Sequence, residues 1–360
     1  MNTRILFVDD DPGILEGLRN SLRRERDRWT LAFAGSGAEG LQALAAQPFD
    51  IVVSDMRMPH MDGAGFLAQV RVHAPRAVRI VLSGHAEPDA MLRAMPVAHQ
   101  FLLKPCEPER LRDTLERASR FSFAAPEAST RDTLGALAVL PSPAALHTAL
   151  LQALRRGDHS AAQLAEVVAQ DPAAAAKLLQ LVNSIYFGSG RPTISLEHAL
   201  QMLGQEFLKA LMLGGHFAAA REAGLATRAA ARARCARQFL RCEPQADTAG
   251  VAALLCDVGT LALDPEAPPG HGGGHAAAGA WLLAAWGLPP EIVETVAHHR
   301  APGALAQPRQ PRVLAAVHAA EALLRDDGVP DADFLARAGC ARELPRWREI
   351  ARAQGGAAAT

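Results

Sequence analysis

Five short apolar runs, each breaking off into polar or charged residues, constrain the first third of this chain more than any other feature. They are Ile5-Leu6-Phe7-Val8, Leu31-Ala32-Phe33, Ile51-Val52-Val53, Ile80-Val81-Leu82 and Phe101-Leu102-Leu103. Between most of them lie segments with apolar residues at helical spacing, such as Ile14, Leu15, Leu18 and Leu22. Strands that are apolar at consecutive positions are buried on both faces. Their alternation with helices therefore predicts a doubly wound, five-stranded parallel sheet. In such sheets the ligand site lies beyond the carboxyl ends of the strands.

The chemistry-bearing residues fall at those ends. Asp9, Asp10 and Asp11 follow the first run, Asp55 the third, Ser83 the fourth, and Lys104-Pro105 the fifth. Carboxylates brought together repel one another unless a cation or proton intervenes. A hard divalent ion, Mg²⁺, suits such a set, because it takes carboxylates, a backbone carbonyl and waters. It would also neutralise charge on an incoming phosphoryl group and so let an aspartate act as nucleophile. Lysine supplies a mobile positive charge for phosphate. One of the three aspartates is also expected to cap the helix that starts at Pro12.

These blocks resemble the receiver domain of two-component response regulators, whose fold is flavodoxin-like. The matching stretches are Ile5–Pro12, Asp50–Pro59 with Met61-Asp62-Gly63, Ile80–Gly84 and Phe101–Pro105. The resemblance implies that Asp55 accepts the phosphoryl group and that Asp10, Asp9, Asp55 and the Arg57 carbonyl hold Mg²⁺. It implies that Ser83 and Lys104 contact the phosphoryl oxygens and that Phe101 is a switch aromatic. A sensor histidine kinase is the implied donor. The helix from Glu107 to about Arg120 is expected to pass the signal on by altered packing or by homodimer formation.

From Leu134 onward no strand pattern is convincing, and alanine-rich amphipathic helices dominate. Asp171-Pro172 reads as a helix start, Ser195 as another cap. The chain is thus α/β followed by all-α. Six blocks in order resemble the HDOD domain, a non-catalytic relative of HD phosphohydrolases. They open with Leu140-Pro-Ser-Pro143 and include Asp171-Pro172 with Asn183-Ser184-Ile-Tyr-Phe187-Gly188, Thr193–Leu196, Cys256-Asp257-Val-Gly259, Trp281, Trp286 and His298-His299.

A catalytic HD site needs His and Asp ligands around one or two metals with open positions. Here the His-Asp doublet reads Cys256-Asp257, the upstream histidine falls at Arg228 or a neighbouring alanine, and the downstream aspartate at Glu321 beside His318. His275, His298 and His299 are remnant candidates. Thiolate is soft company for iron or manganese. The helical half is therefore expected to be no enzyme, the receiver's own phosphorylation aside. The competing reading is a receiver-regulated metal-dependent phosphodiesterase acting on a cyclic dinucleotide. Cys256, Trp281 and Trp286 are expected in the core. Asn183 is expected to hydrogen-bond across helices, and Arg232, Arg234 and Arg237 to line a solvated face.

The remaining features bound the partners. Thirty-seven Lys and Arg nearly cancel thirty-eight Asp and Glu, which argues against a nucleic-acid partner. No signal peptide, membrane span or paired cysteine spacing stands out, so a cytoplasmic protein is expected. An unidentified downstream protein is the expected output partner. The expected organisation is a receiver over 1–122, a linker over 123–133, the output domain over 134–330 and a tail over 331–360. Pro268-Pro269 and Gly272-Gly273-Gly274 are expected to form a loop.

Overall fold

The computed structural model describes residues 2–84, 88–123, 127–157, 159–184, 193–220, 224–263, 274–325 and 328–356. The expected loop at 268–273, the linker residues 124–126, residues 185–188 of the asparagine motif and the extreme C-terminus lie outside them.

Helices begin where the strands hand over a cap. Strand β1 (Thr3–Val8) runs into Asp11, whose carboxylate accepts from the N–H groups of Gly13 and Ile14 and caps α1 (Pro12–Ser21). Of the three aspartates, Asp11 is thus the cap. Ser36 caps α2 (Gly37–Ala46) and Asp62 caps α3 (Gly63–His73) in the same way. With β2 (Trp29–Ala34), β3 (Ile51–Asp55), β4 (Val78–Ser83), α4 (Pro88–Ala94), β5 (Gln100–Leu103) and α5 (Pro108–Phe123), they form a parallel sheet in the order β2-β1-β3-β4-β5. Alternate residues split two cores. Ile5, Phe7, Ile51, Val53, Ile80 and Leu82 face α1 and α5. Leu6, Val8, Val52, Val81 and Phe101 belong to a second core that continues without a break into the helical half.

The segment expected to be a linker carries α6 (Ala128–Ala136). Its Gly135 lies so close to the chain at Pro75 that a Cβ would sit 1.8 Å from the Pro75 carbonyl oxygen. Only glycine lets the two backbones approach in this way.

The helical half holds α7 (Ala144–Arg156), α8 (Ala161–Val168), α9 (Pro172–Asn183), α10 (Leu196–Leu203), α11 (Gln205–Leu213), α12 (Gly224–Phe239), α13 (Ala246–Leu255), α14 (Val258–Leu263), α15 (Gly274–Ala285), α16 (Pro290–His298) and α17 (Pro311–Leu323). Contrary to expectation it also has strands: β6 (Leu140–Pro143) pairs in parallel with β7 (Phe217–Ala220). Two prolines in four residues hide a strand from propensity, yet a two-stranded edge tolerates them. Asp171 and Ser195 cap α9 and α10 as expected. Asn183 bonds the Leu179 carbonyl and both backbone groups of Thr193, which ties the end of α9 to the approach to α10.

The expected tail is also folded, as α18 (Ala332–Arg337) and α19 (Leu344–Gly356). Trp347 of α19 is fully buried and stacks on Phe239 of α12, ring centroids 4.8 Å apart. Among the described residues, Ala246–Leu263 is apolar and long enough to cross a membrane, but 78% of it is buried inside the fold.

Candidate functional site

Strand ends bring Asp9, Asp55 and Lys104 together. The Lys104 ammonium lies 2.6 Å from an Asp9 carboxylate oxygen and also donates to Asp55. Asp9 is 3% and Asp55 8% exposed, so two nearly buried carboxylates share one lysine. Asp10 stands exposed at the turn beside them. The other Asp55 oxygen accepts the Arg57 N–H at 2.5 Å. Burial pushes the Asp55 carboxyl up, against the pull of Lys104 and the Arg57 N–H. Burial also works against the Lys104 charge, but its bonds to Asp55 and Asp9 hold it above the usual lysine value.

Two backbone features shape this pocket. The Ser83 carbonyl accepts the Lys104 N–H at 2.7 Å, which ties the ends of β4 and β5 together. A Cβ on Gly63 would meet the Asp55 carbonyl oxygen at 2.1 Å, so the glycine of Met61-Asp62-Gly63 is required for the chain to close behind Asp55. Phe101, 3% exposed, lies in β5 within the core that runs on into the helical half.

The donor set fits a hard divalent cation. One ammonium leaves the cluster of Asp9, Asp10 and Asp55 net negative, every donor is an oxygen, and the exposed Asp10 leaves one side open to water.

A second acidic cluster lies in the helical half, and its centre is an arginine. Arg232 of α12, buried, donates to Asp257 at 2.7 Å, to Glu321 at 2.6 Å and to the Ala253 carbonyl at 2.8 Å. Arg228, where with its neighbouring alanines the upstream histidine was expected, is exposed; Arg232, one helical turn further on, is the residue that meets the two acids. Arg232 also leaves the solvated cluster to which it was assigned, while Arg234 and Arg237 stay exposed, bonded to Gln354 and Asp247. The spacing Ala229, Arg232, Ala236, Phe239 follows the buried stripe of α12, and that periodicity was the available signal.

Burial opposes the Arg232 charge, but Asp257 and Glu321 outweigh it. Burial likewise disfavours ionised Glu321, yet Arg232 holds it down at about 2. Arg300 and Arg325 also reach Glu321, each at 3.3 Å.

The remnant histidines divide. His299 is fully buried, its Nδ1 bonded to the Val296 carbonyl, its Nε2 without a hydrogen-bond partner among the described residues, and its ring 6.0 Å from that of His275. His298 is half-buried at the end of α16. Cys256 is fully buried, which pushes its thiol up to about 12, and its Sγ donates to the Ala252 carbonyl at 3.3 Å. A guanidinium held between the two acids leaves them no room for a catalytic metal, so the residues do not fit one. Among the described residues of either half, no group of three or more His, Cys, Asp and Glu side chains is gathered around an ion position; in the receiver it is Lys104 that lies between Asp9 and Asp55.

Comparison with known proteins agrees with both halves. Residues 5–116 match the response regulator receiver domain and residues 140–270 the HDOD domain. The chain therefore joins a receiver to an HDOD domain. It is 34% identical over 131 residues to the transcriptional regulatory protein GlrR of Escherichia coli K12, covering 36% of this chain and 29% of that protein. To the alginate biosynthesis transcriptional regulatory protein AlgB of Pseudomonas putida it is 36% identical over 110 residues, covering 30% and 24%. The match thus spans less than a third of either relative. Among solved structures, the signal receiver domain of an HD domain-containing protein from Pseudomonas fluorescens Pf-5 is 29% identical, covering 34% of this chain and 99% of that one, with a TM-score of 0.33.

Proposed function

We propose that the chain is a response regulator of a two-component phosphorelay, with a receiver over 1–122 and an HDOD output over 134–330 to which α18 and α19 are added. The observation that carries this reading is the Lys104 bridge between Asp9 and Asp55 at the strand ends. Asp55 attacks the phosphorus of a kinase phosphohistidine; the P–N bond breaks, and the imidazole leaves on the kinase. Mg²⁺ held by Asp10, Asp9, Asp55 and the Arg57 carbonyl would neutralise charge on the transferring group. Lys104 then moves from a carboxylate to a phosphoryl oxygen, and Ser83 supplies a hydroxyl bond beside it. Phe101, buried in the shared core, responds to that movement.

The HDOD half is a non-catalytic output that binds a downstream protein. The support is Arg232, whose fixed charge fills the place a hydrolytic metal would need. The five cysteines are all free thiols, which agrees with a reducing cytoplasm. Incubation with a phosphorylated kinase and Mg²⁺ tests the first part: the wild type is labelled and Asp55→Ala is not. Equal labelling of both would overturn it. Hydrolysis of a cyclic dinucleotide with stoichiometric bound metal would overturn the second.

A further inference from the structure

The receiver and the helical half meet along a seam whose buried charges are all of one sign. On the receiver side are Arg79 of β4 and His99 just before β5; on the helical side is Lys177 of α9. They are 1%, 3% and 4% exposed. The seam is stitched by polar bonds. The Gln180 amide donates to the Ala98 and His99 carbonyls, Gln100 to the Ala285 carbonyl, and Arg79 to the carbonyls of Val97 and Gly135. The His99 ring meets Trp281 edge-on.

Among the described residues the neighbouring ionisable groups supply no countercharge. Arg71 of α3 adds positive charge felt by Arg79, and His216, which precedes β7, is itself held towards its neutral form by burial and by Lys177. The nearest acid on α9 is its N-cap Asp171, whose carboxylate is engaged by Ser142 and two backbone N–H groups. On α10, Glu197 and His198 are exposed. Among the described residues no carboxylate forms an ion pair with Arg79 or Lys177.

The geometry at two of the side chains favours their neutral forms. The Arg79 backbone N–H donates to His99 Nδ1 at 3.0 Å while its guanidinium faces Nε2 at 3.1 Å. An imidazolium there would point a proton at each of two donors. Lys177 has one acceptor, Gln180 Oε1 at 3.2 Å, and the face of Trp286, 4.4 Å from its centroid. One acceptor and one ring do not replace the water around an ammonium. Arg79 differs, because carbonyls surround its guanidinium and it keeps its charge.

We infer that this seam is a proton-sensitive latch: the halves dock with His99 and Lys177 neutral, and proton uptake at these two side chains undocks them. Burial brings Lys177 down to about 7, and burial with Arg79 and Lys177 holds His99 well below its usual value. The undocked form therefore binds more protons, so docking strengthens as pH rises. For Lys177 the window runs from about 7 to the ordinary lysine value of about 10.4. For His99 it lies below about 6.5. One proton per opening makes the effect about tenfold per pH unit within each window.

The test is hydrogen exchange on the full chain between pH 5 and 9, corrected for intrinsic exchange, without Mg²⁺ or phosphodonor. The outcome is then independent of the phosphoacceptor reading. Segments 98–103 and 177–183 should lose about tenfold protection per unit from pH 9 to 7 and again below 6.5, with β1 as the unchanged reference. Lys177→Met should flatten the first window and His99→Gln the second, Lys177→Gln serving if the methionine variant does not fold. Protection at the seam that is constant with pH in the wild type overturns the latch, as does a slope that Lys177→Met leaves intact.

Discussion

Both halves of this molecule place an internal cation between two carboxylates, and they differ in which cation and how deep. In the receiver a half-buried lysine bridges Asp9 and Asp55 beside an exposed Asp10. In the helical half a buried arginine bridges Asp257 and Glu321. Lysine is a single charge on a flexible stem, so it can change partners. Arginine is a planar fork that fixes the geometry of both acids at once. The first arrangement leaves a site that can open to an ion and a phosphoryl group. The second closes one.

The comparison breaks most readily at Arg232. Arg232→Ala strands two buried acids and should cost about 3–5 kcal/mol in urea unfolding. If the loss is under about 1 kcal/mol, the acids are not held as described. Arg232→His removes the fixed charge and adds an imidazole beside Asp257, Glu321 and His299; the variant should retain manganese or iron after gel filtration where the wild type retains none.

Acid should weaken the sealed cluster in two stages. Buried His299, held neutral down to about 4, lets the unfolded chain take up a proton first, so stability falls between about 6.5 and 4. Glu321 is held near 2, so its stabilisation is complete above about 4.3 and lost as pH falls through 2. The second stage is worth about 3 kcal/mol at 1.36 kcal/mol per unit. A melting temperature flat from pH 7 to 3 would contradict it.

Lys104→Met should have the opposite effect on its site. With the ammonium gone, Asp9 and Asp55 should bind Mg²⁺ several-fold more tightly, as read by calorimetry, with a smaller stability loss than Arg232→Ala. Weaker Mg²⁺ binding would show that Lys104 organises the acids rather than competing with the ion. The smallest effect is expected at Arg76, whose fork pairs with Asp132 of α6 at the surface. Arg76→Ala should leave thermal unfolding unchanged within error.

Most of the receiver was legible because each strand ends in the residue that carries its chemistry, and strand ends are easy to find. The remnant positions Asp257, in the turn between α13 and α14, and Glu321 of α17 were read from the resemblance to the HD ligand pattern. Arg232 was not, because an alanine-rich helix offers several arginines and only its burial stripe tells them apart. The β6–β7 pair was hidden by its prolines. Helix α6 is held at a close glycine contact that no periodicity announces, whereas Leu344, Trp347, Ile350 and Ala351 of α19 do fall at helical spacing in a segment expected to be a tail. The seam could not be read at all. Arg79, His99 and Lys177 lie far apart in sequence, and only the docked halves bring them together.

Strand β5 has one further consequence. It starts at Gln100, directly after His99, and ends at Leu103, directly before Lys104, so Gln100 and Lys104 stand about 13 Å apart with no loop to absorb slack. A chimaera given a foreign receiver with an intact aspartate pocket, but without those two seam side chains, should therefore be phosphorylated normally and transmit nothing to its helical half.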